Sequence, residues 1–216
     1  MADDGFQRAR SPERKAERRA AILAAAADLL DAGGTEAATL SAIAAGAGVV
    51  KSGLYRYFES REDILIHLLI EGTEDLLASM QAAAPQETAE AAAVIAQGFA
   101  ARPRLCLLIS VMAPTLERNI SLPALVALKT RMAALLGDAA GQTARIHPGL
   151  TPEAARMAIF TITALVAGMW PMANPGPLVA EAMARTAFAD HGGAFEDTLR
   201  RAIHAILLGA EDAARA

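Results

Sequence analysis

Between Thr39 and Phe58 the chain reads TLSAIAAGAGVVKSGLYRYF, and this run constrains the fold more than any other. Thr39 can cap a helix in which Leu40 and Ile43 face inward, while Ala44 and Ala45 are small enough for close packing. Gly46-Ala47-Gly48 predicts a turn, and a second short helix follows it. Leu54 and Phe58, four residues apart, anchor the buried side of that helix, so Lys51, Ser52, Tyr55 and Arg56 point outward. Tyr57 is either a phosphate contact or a core residue with its hydroxyl at the edge. Two helices meeting across such a turn let the second lie in a DNA major groove. Lys and Arg suit phosphate or guanine, Ser a close polar contact, and Tyr a phosphate oxygen. The rival reading, a phosphate-cradling glycine loop, lacks both a preceding strand and the Lys-Ser/Thr sequel. The run implies DNA binding.

Its flanks fit a compact helical head. Ile22, Ala26, Leu29 and Leu30 fall on one face of a helix predicted over Pro12–Ala32, which Gly33-Gly34 ends. Ser60 followed by Asp63 resembles a capping box and starts a long helix through Ile64, Leu65 and Leu68 to about Ala84-Pro85. Val50, at the cap position of the second helix in the run, cannot accept a hydrogen bond, so that cap is expected to be missing at a typical cost of ~1 kcal/mol.

Composition agrees with an all-α chain of 216 residues: hydrophobic residues make up 54%, much of it alanine, and aromatics only 4%. The net charge of −4 does not announce a nucleic-acid binder, but its distribution does more. Arg8, Arg10, Arg14, Lys15, Arg18 and Arg19 are opposed only by Glu13 and Glu17, giving a local charge of about +4 beside the reading helix. A single cysteine, Cys106, excludes an internal disulfide framework, and the N-terminus lacks an apolar core of signal-peptide length; a cytoplasmic location is expected.

Beyond Pro85, helices are predicted near 86–101, 103–118, 121–144, 152–172 and 195–210, with a short one near 178–187. Ser121 with Pro123, and Thr151 with Pro152, are start signals, and Pro114 should kink the helix that contains it. Met157–Ala173 carries no charge, yet it is short for a membrane span and interrupted by Gly168 and Pro171, so a helix buried on all sides of a bundle is expected, with no membrane partner. His67, His147, His191 and His204 are scattered, no paired Cys exists and no Gly-x-Ser-x-Gly elbow occurs, so neither catalysis nor a metal or other cofactor is expected.

The stretches ILAAAADLLDAGG (22–34), TLSAIAAGAGV (39–49), KSGLYRYF (51–58) and SREDIL (60–65) together resemble the N-terminal domain of the TetR family of bacterial transcriptional regulators. The resemblance implies a three-helix head with a helix-turn-helix over residues 16–69, a basic flexible arm over 1–15, and a helical effector-binding and dimerising domain over 70–216. It implies a homodimer that binds double-stranded operator DNA, most often as a repressor, and releases it when a small molecule enters the bundle. The DNA-side candidates are Thr39, Lys51, Ser52, Gly53, Tyr55, Arg56, Tyr57 and Arg61, the last matching a basic family position at the DNA backbone.

An apolar effector site between the middle helices and 152–172 would draw on Phe99, Cys106, Ile109, Met112, Leu116, Leu128, Met132, Phe160, Thr163, Met169 and Trp170. The plain alternative is that these residues only fill a core. Phe195, Leu199, Ile203, Ile206 and Leu207 form one stripe, which either packs on its own domain or, as in the family, joins a four-helix dimer interface. A DNA-binding protein without an effector and a helical small-molecule carrier are the competing functions.

Overall fold

The computed structural model describes residues 4–85, 87–147, 149–186 and 194–215, with side chains described from 12 to 213. Ten α-helices and one 3-10 turn account for the regular structure of these residues, and no strand occurs among them. They are α1 (Asp4–Ala37), α2 (Leu40–Gly46), α3 (Lys51–Leu54), α4 (Arg61–Met80), α5 (Thr88–Ala100), α6 (Pro103–Met112), a 3-10 turn (Leu116–Arg118), α7 (Leu122–Ile146), α8 (Pro152–Ala173), α9 (Pro177–Ala184) and α10 (Phe195–Arg215).

α1 starts eight residues ahead of the predicted Pro12 and takes in the backbone of much of the basic stretch; the side chains of Arg8 and Arg10 lie outside the described residues. Its regular turns stop where expected, at Gly33 and Gly34, the latter at φ +66°. Ile22, Ala26 and Leu30 from α1, Ile43 from α2, Leu54 and Phe58 around α3, and Ile64 and Leu65 from α4 are all buried. At α2, the Cα of Gly46 approaches α1 so closely that a Cβ would stand 3.0 Å from that of Ala25. Gly48, at φ +64°, turns the chain toward α3, a conformation L side chains rarely adopt.

α4 belongs to both halves. Its first turns pack on α1, and its later residues Leu76, Leu77 and Met80 are buried in the C-terminal bundle. One continuous core therefore runs from Ile22 to Leu207. Serine or threonine hydroxyls cap α2, α4, α7 and α8, each accepting from the backbone N–H three residues on. At the far end of the bundle, buried His147 holds Thr88 through a 2.9 Å Nε2–Oγ1 contact and lies 4.0 Å from a carboxylate oxygen of Glu211, tying α5, α7 and α10.

Two expectations need correction. Pro114 does not kink a helix running to 118: α6 ends at Met112, and the chain re-forms as the 3-10 turn. α8 is not buried all round. Ala155, Ala158, Ile159, Ile162 and Val166 face the bundle, while Met157, Phe160 and Met172 on the other side are largely exposed. α8 is long and apolar enough to cross a membrane by length and composition, as many core helices are. In α10, Leu199, Ile203 and Leu207 are fully buried within one protomer, where the helix packs on α5 and α8, and Phe195 meets Trp170 edge to face at 5.1 Å. Leu199, Ile203 and Leu207 thus serve their own protomer's core, while Phe195 and Ile206 of the same stripe are only partly buried.

Candidate functional site

The head presents its polar ridge outward. Lys51, Ser52, Tyr55 and Arg56 are exposed, with Gly53 and Tyr57 half-buried beside them. α3 itself is short, but backbone bonds from Tyr57 and Phe58 to the Leu54 carbonyl, at 2.8 and 3.0 Å, extend the helical path through the ridge. Leu54 and Phe58 fix it from beneath, and the guanidinium of Arg19 lies 5.1 Å from the Phe58 ring centroid. Arg18 donates to the Ala47 carbonyl at 3.4 Å, bracing the turn before α3. Arg14 and Lys15 are exposed. Val50, itself exposed, starts α3 without a side-chain cap, as the sequence implies.

Thr39 and Arg61 have structural partners. The Thr39 hydroxyl accepts from Ala42 N at 3.2 Å, capping α2. The Arg61 guanidinium donates to the Ala38 carbonyl at 2.7 Å, to the Thr35 carbonyl and to Glu62, clamping α4 to the α1–α2 junction. Its side chain is mostly covered, so any phosphate it meets would share it with these carbonyls.

Next to it, Ser60 Oγ accepts from Asp63 N, and Asp63 accepts from Glu59 N at 2.9 Å, the capping box reaching one residue further back than usual. His67 Nδ1 donates to the Asp63 carbonyl at 2.8 Å and lies 3.3 Å from its carboxylate. Burial alone would raise the Asp63 carboxyl; bonds from His67 and Glu59 N, with the charges of His67 and Arg19, outweigh it and hold the group below its usual range. The hydrogen bond to Asp63 lifts His67 above the ordinary imidazole value, against its burial.

The bundle encloses an apolar cavity lined by Thr73, Leu76, Leu77, Met80, Ile95, Phe99, Leu105, Ile109, Met112, Met132, Leu135, Leu136, Ala139, Ile159 and Thr163. Its free volume is only about 50 Å³, room for one or two waters at roughly 30 Å³ each. Both threonine hydroxyls donate to carbonyls of their own helices, Thr73 to Leu69 and Thr163 to Ile159, both at 2.8 Å. The wall is apolar in effect.

Five expected residues line this cavity: Phe99, Ile109, Met112, Met132 and Thr163. Leu116 and Leu128 are buried outside it, Met169 is partly buried, and Phe160 faces away from the bundle. Cys106 also lies outside the lining, its thiol donating to the Phe99 carbonyl and pushed by burial up to about 12. Trp170 borders a different, open cleft between α1, α4 and α6. The sequence reading missed the α4 contribution, although Thr73, Leu76, Leu77 and Met80 fall at i, i+3, i+4 and i+7 and that spacing was available.

Two arginines at the start of α6 make ion pairs with other helices, and the second of them joins the two halves. Arg102 reaches the Asp75 carboxylate at 2.7 Å, its backbone carbonyl at 3.2 Å and the Gly98 carbonyl at 2.9 Å. Arg104 grips Asp31 of α1 with two parallel bonds, one of 2.9 Å, across the boundary between head and bundle. No group of three potential metal-ligating side chains occurs among the described residues.

Residues 22–68 match the family described as bacterial regulatory proteins, tetR family. Residues 69–214 match a tetracyclin repressor-like C-terminal domain. No curated protein matches the sequence. Among solved structures, a possible TetR family transcriptional regulator from Streptomyces coelicolor A3(2) is 19% identical with a TM-score of 0.64, over 90% of this chain and 99% of that one. A transcriptional regulator from Rhodococcus sp. Rha1 is 21% identical with a TM-score of 0.59, over 89% and 97%. FadR from Bacillus subtilis, solved in complex with stearoyl-CoA, is 21% identical with a TM-score of 0.53, over 88% and 97%. At these identities the likeness establishes the fold.

Proposed function

The chain belongs to the tetR family of bacterial regulatory proteins, DNA-binding transcriptional regulators rather than enzymes, and from that premise we propose a repressor that binds operator DNA as a homodimer and releases it when a mostly apolar small molecule enters the bundle. The observation that carries the ligand half is the apolar cavity against α4, because α4 also supports the head. Lys51, Ser52, Tyr55 and Arg56 read the major groove, and the basic residues before residue 16 add phosphate attraction. The open apolar face of α8, carrying Met157, Phe160 and Met172, supports pairing with a second copy. Two heads reading two half-sites multiply the specificity that one short helix can supply.

With so little free volume, an effector must part the helices lining the cavity, and Met112 and Met132 are the flexible residues best suited to yield. Moving α4 re-aims α3; moving α6 pulls on Asp31 through Arg104. An effector shifts DNA affinity only by its preference for one state, and ~3 kcal/mol of coupling would weaken operator binding ~150-fold.

The test has two stages. Selection from a random duplex pool with purified protein should enrich a palindrome; no enrichment would refute operator binding. Titrating the complex with acyl-CoAs of increasing chain length, for which stearoyl-CoA in FadR is the first probe, should release DNA and raise the Tm together. Release without a Tm change would mean that the compound acts without binding the folded protein, and would count against an effector. Unresponsiveness to an apolar library would favour a regulator with no effector.

A further inference from the structure

Over residues 12–69, Val50 at 72% and Tyr55 at 56% are the exposed large hydrophobic side chains. Tyr55 has a hydroxyl to offer a phosphate. Val50 has nothing polar, and it stands among Lys51, Ser52 and Arg56 on the ridge. α2, α4, α7 and α8 begin with a serine or threonine whose hydroxyl accepts a backbone N–H, whereas Val50, like the residues before α5, α6 and α9, supplies no side-chain cap to its helix. A polar cap would stabilise the head, so valine here forgoes stability at the surface that faces DNA.

The Cγ2 of Val50 lies 3.5 Å from where a Cβ on Gly53 would be, so the isopropyl group rests across the first turn of α3. A β-branched residue is stiff about χ1, and fixing it against DNA costs little entropy. Among the base edges of the major groove, thymine alone offers an apolar group, its C5-methyl, and small apolar side chains are its usual match. We infer that Val50 reads a thymine methyl in each operator half-site, a specificity contact that rests on the DNA-reading role proposed above.

The test uses the full-length protein and the duplex enriched by random-pool selection, with each thymine replaced in turn by deoxyuridine. This swap removes one methyl and leaves the Watson–Crick pairing intact. Wild-type protein should lose affinity about fourfold at one thymine per half-site, the worth of one buried methyl. Val50→Ser should bind thymine and uracil at that position equally, while its Tm rises because the hydroxyl restores the cap. Gain in stability with loss of methyl discrimination separates reading from a merely structural role.

If every thymine-to-uracil change affects wild type and Val50→Ser alike, the contact does not exist. If Val50→Ser melts lower and binds all DNA more weakly with its discrimination intact, Val50 is structural and the inference is wrong. A pool that enriches no sequence would instead overturn the DNA-reading proposal itself, and this contact with it.

Discussion

The head and the bundle treat apolar surface differently. In the head, Ile22, Ile43, Leu54 and Leu65 are fully or almost fully buried, and over residues 12–69 the large hydrophobic side chains left exposed are Val50 and Tyr55. The bundle leaves Met157, Phe160, Met172, Leu178 and Val179 exposed and keeps a small void among apolar side chains. The head is complete as a protomer and offers charge to a charged partner. The bundle leaves apolar surface uncovered, which the proposed second copy outside and ligand within would complete. DNA reading therefore calls for rigidity, whereas regulation calls for a domain whose packing can still change.

The sharpest way to break this contrast is Phe160→Glu. If α8 is buried against a second copy, the unpaired carboxylate should cost ~3–5 kcal/mol and convert dimer to monomer in sedimentation velocity. A wild-type protein already monomeric at the same concentration would remove the reason for the open face. Next comes Leu54→Ala, which should cost ~2–5 kcal/mol because the well-packed head cannot collapse around the void. Operator binding should vanish while most helical circular dichroism persists; unchanged DNA affinity would mean that the head is looser than its burial implies.

Arg56→Ala should weaken operator binding by ~1–3 kcal/mol if it reads a base. An equal loss on random DNA would make Arg56 a phosphate contact. Lys51→Ala should lower the magnitude of the salt slope by ~1 per protomer, as read by fluorescence anisotropy across salt concentrations.

The smallest effect concerns pH. His67 is raised from 6.5, so its contribution is whole below that value and fades as pH climbs through the folded value. Asp63 is lowered from 3.8, so its contribution is whole above that value and fades as pH falls through the folded one. The Tm gap between wild type and His67→Gln should be widest between the ordinary values of 3.8 and 6.5 and shrink as pH rises through the raised His67 value. A flat gap would show that the ion pair contributes nothing.

The same division separates what the sequence reveals from what it hides. Thr39, Ser60, Ser121 and Thr151 each mark a helix start, and each hydroxyl accepts the bond expected of it, because capping depends on three or four neighbouring residues. Gly46 and Gly48 likewise place the turn before the reading helix. The candidate ridge is legible for the same reason, since Leu54 and Phe58 fix its inner side and thereby its outer one. In the bundle, periodicity says that a stripe is buried but not against what. Leu199, Ile203 and Leu207 of the α10 stripe turned into their own protomer, and Phe160 turned out of it, because helix rotation is set by partners far away in sequence. Pro114 ended α6 instead of bending it, which depends on whether later residues can rejoin the same axis.

A void of about 50 Å³ also sets a clock. An effector that enters there, as proposed, would wait for the helices around Met112 and Met132 to breathe apart, so its observed binding rate in stopped-flow should level off at a plateau as concentration rises. Past that plateau, extra inducer would not hasten promoter clearance. The delay would belong to the protein's own opening, and a variant with a roomier interior should respond sooner.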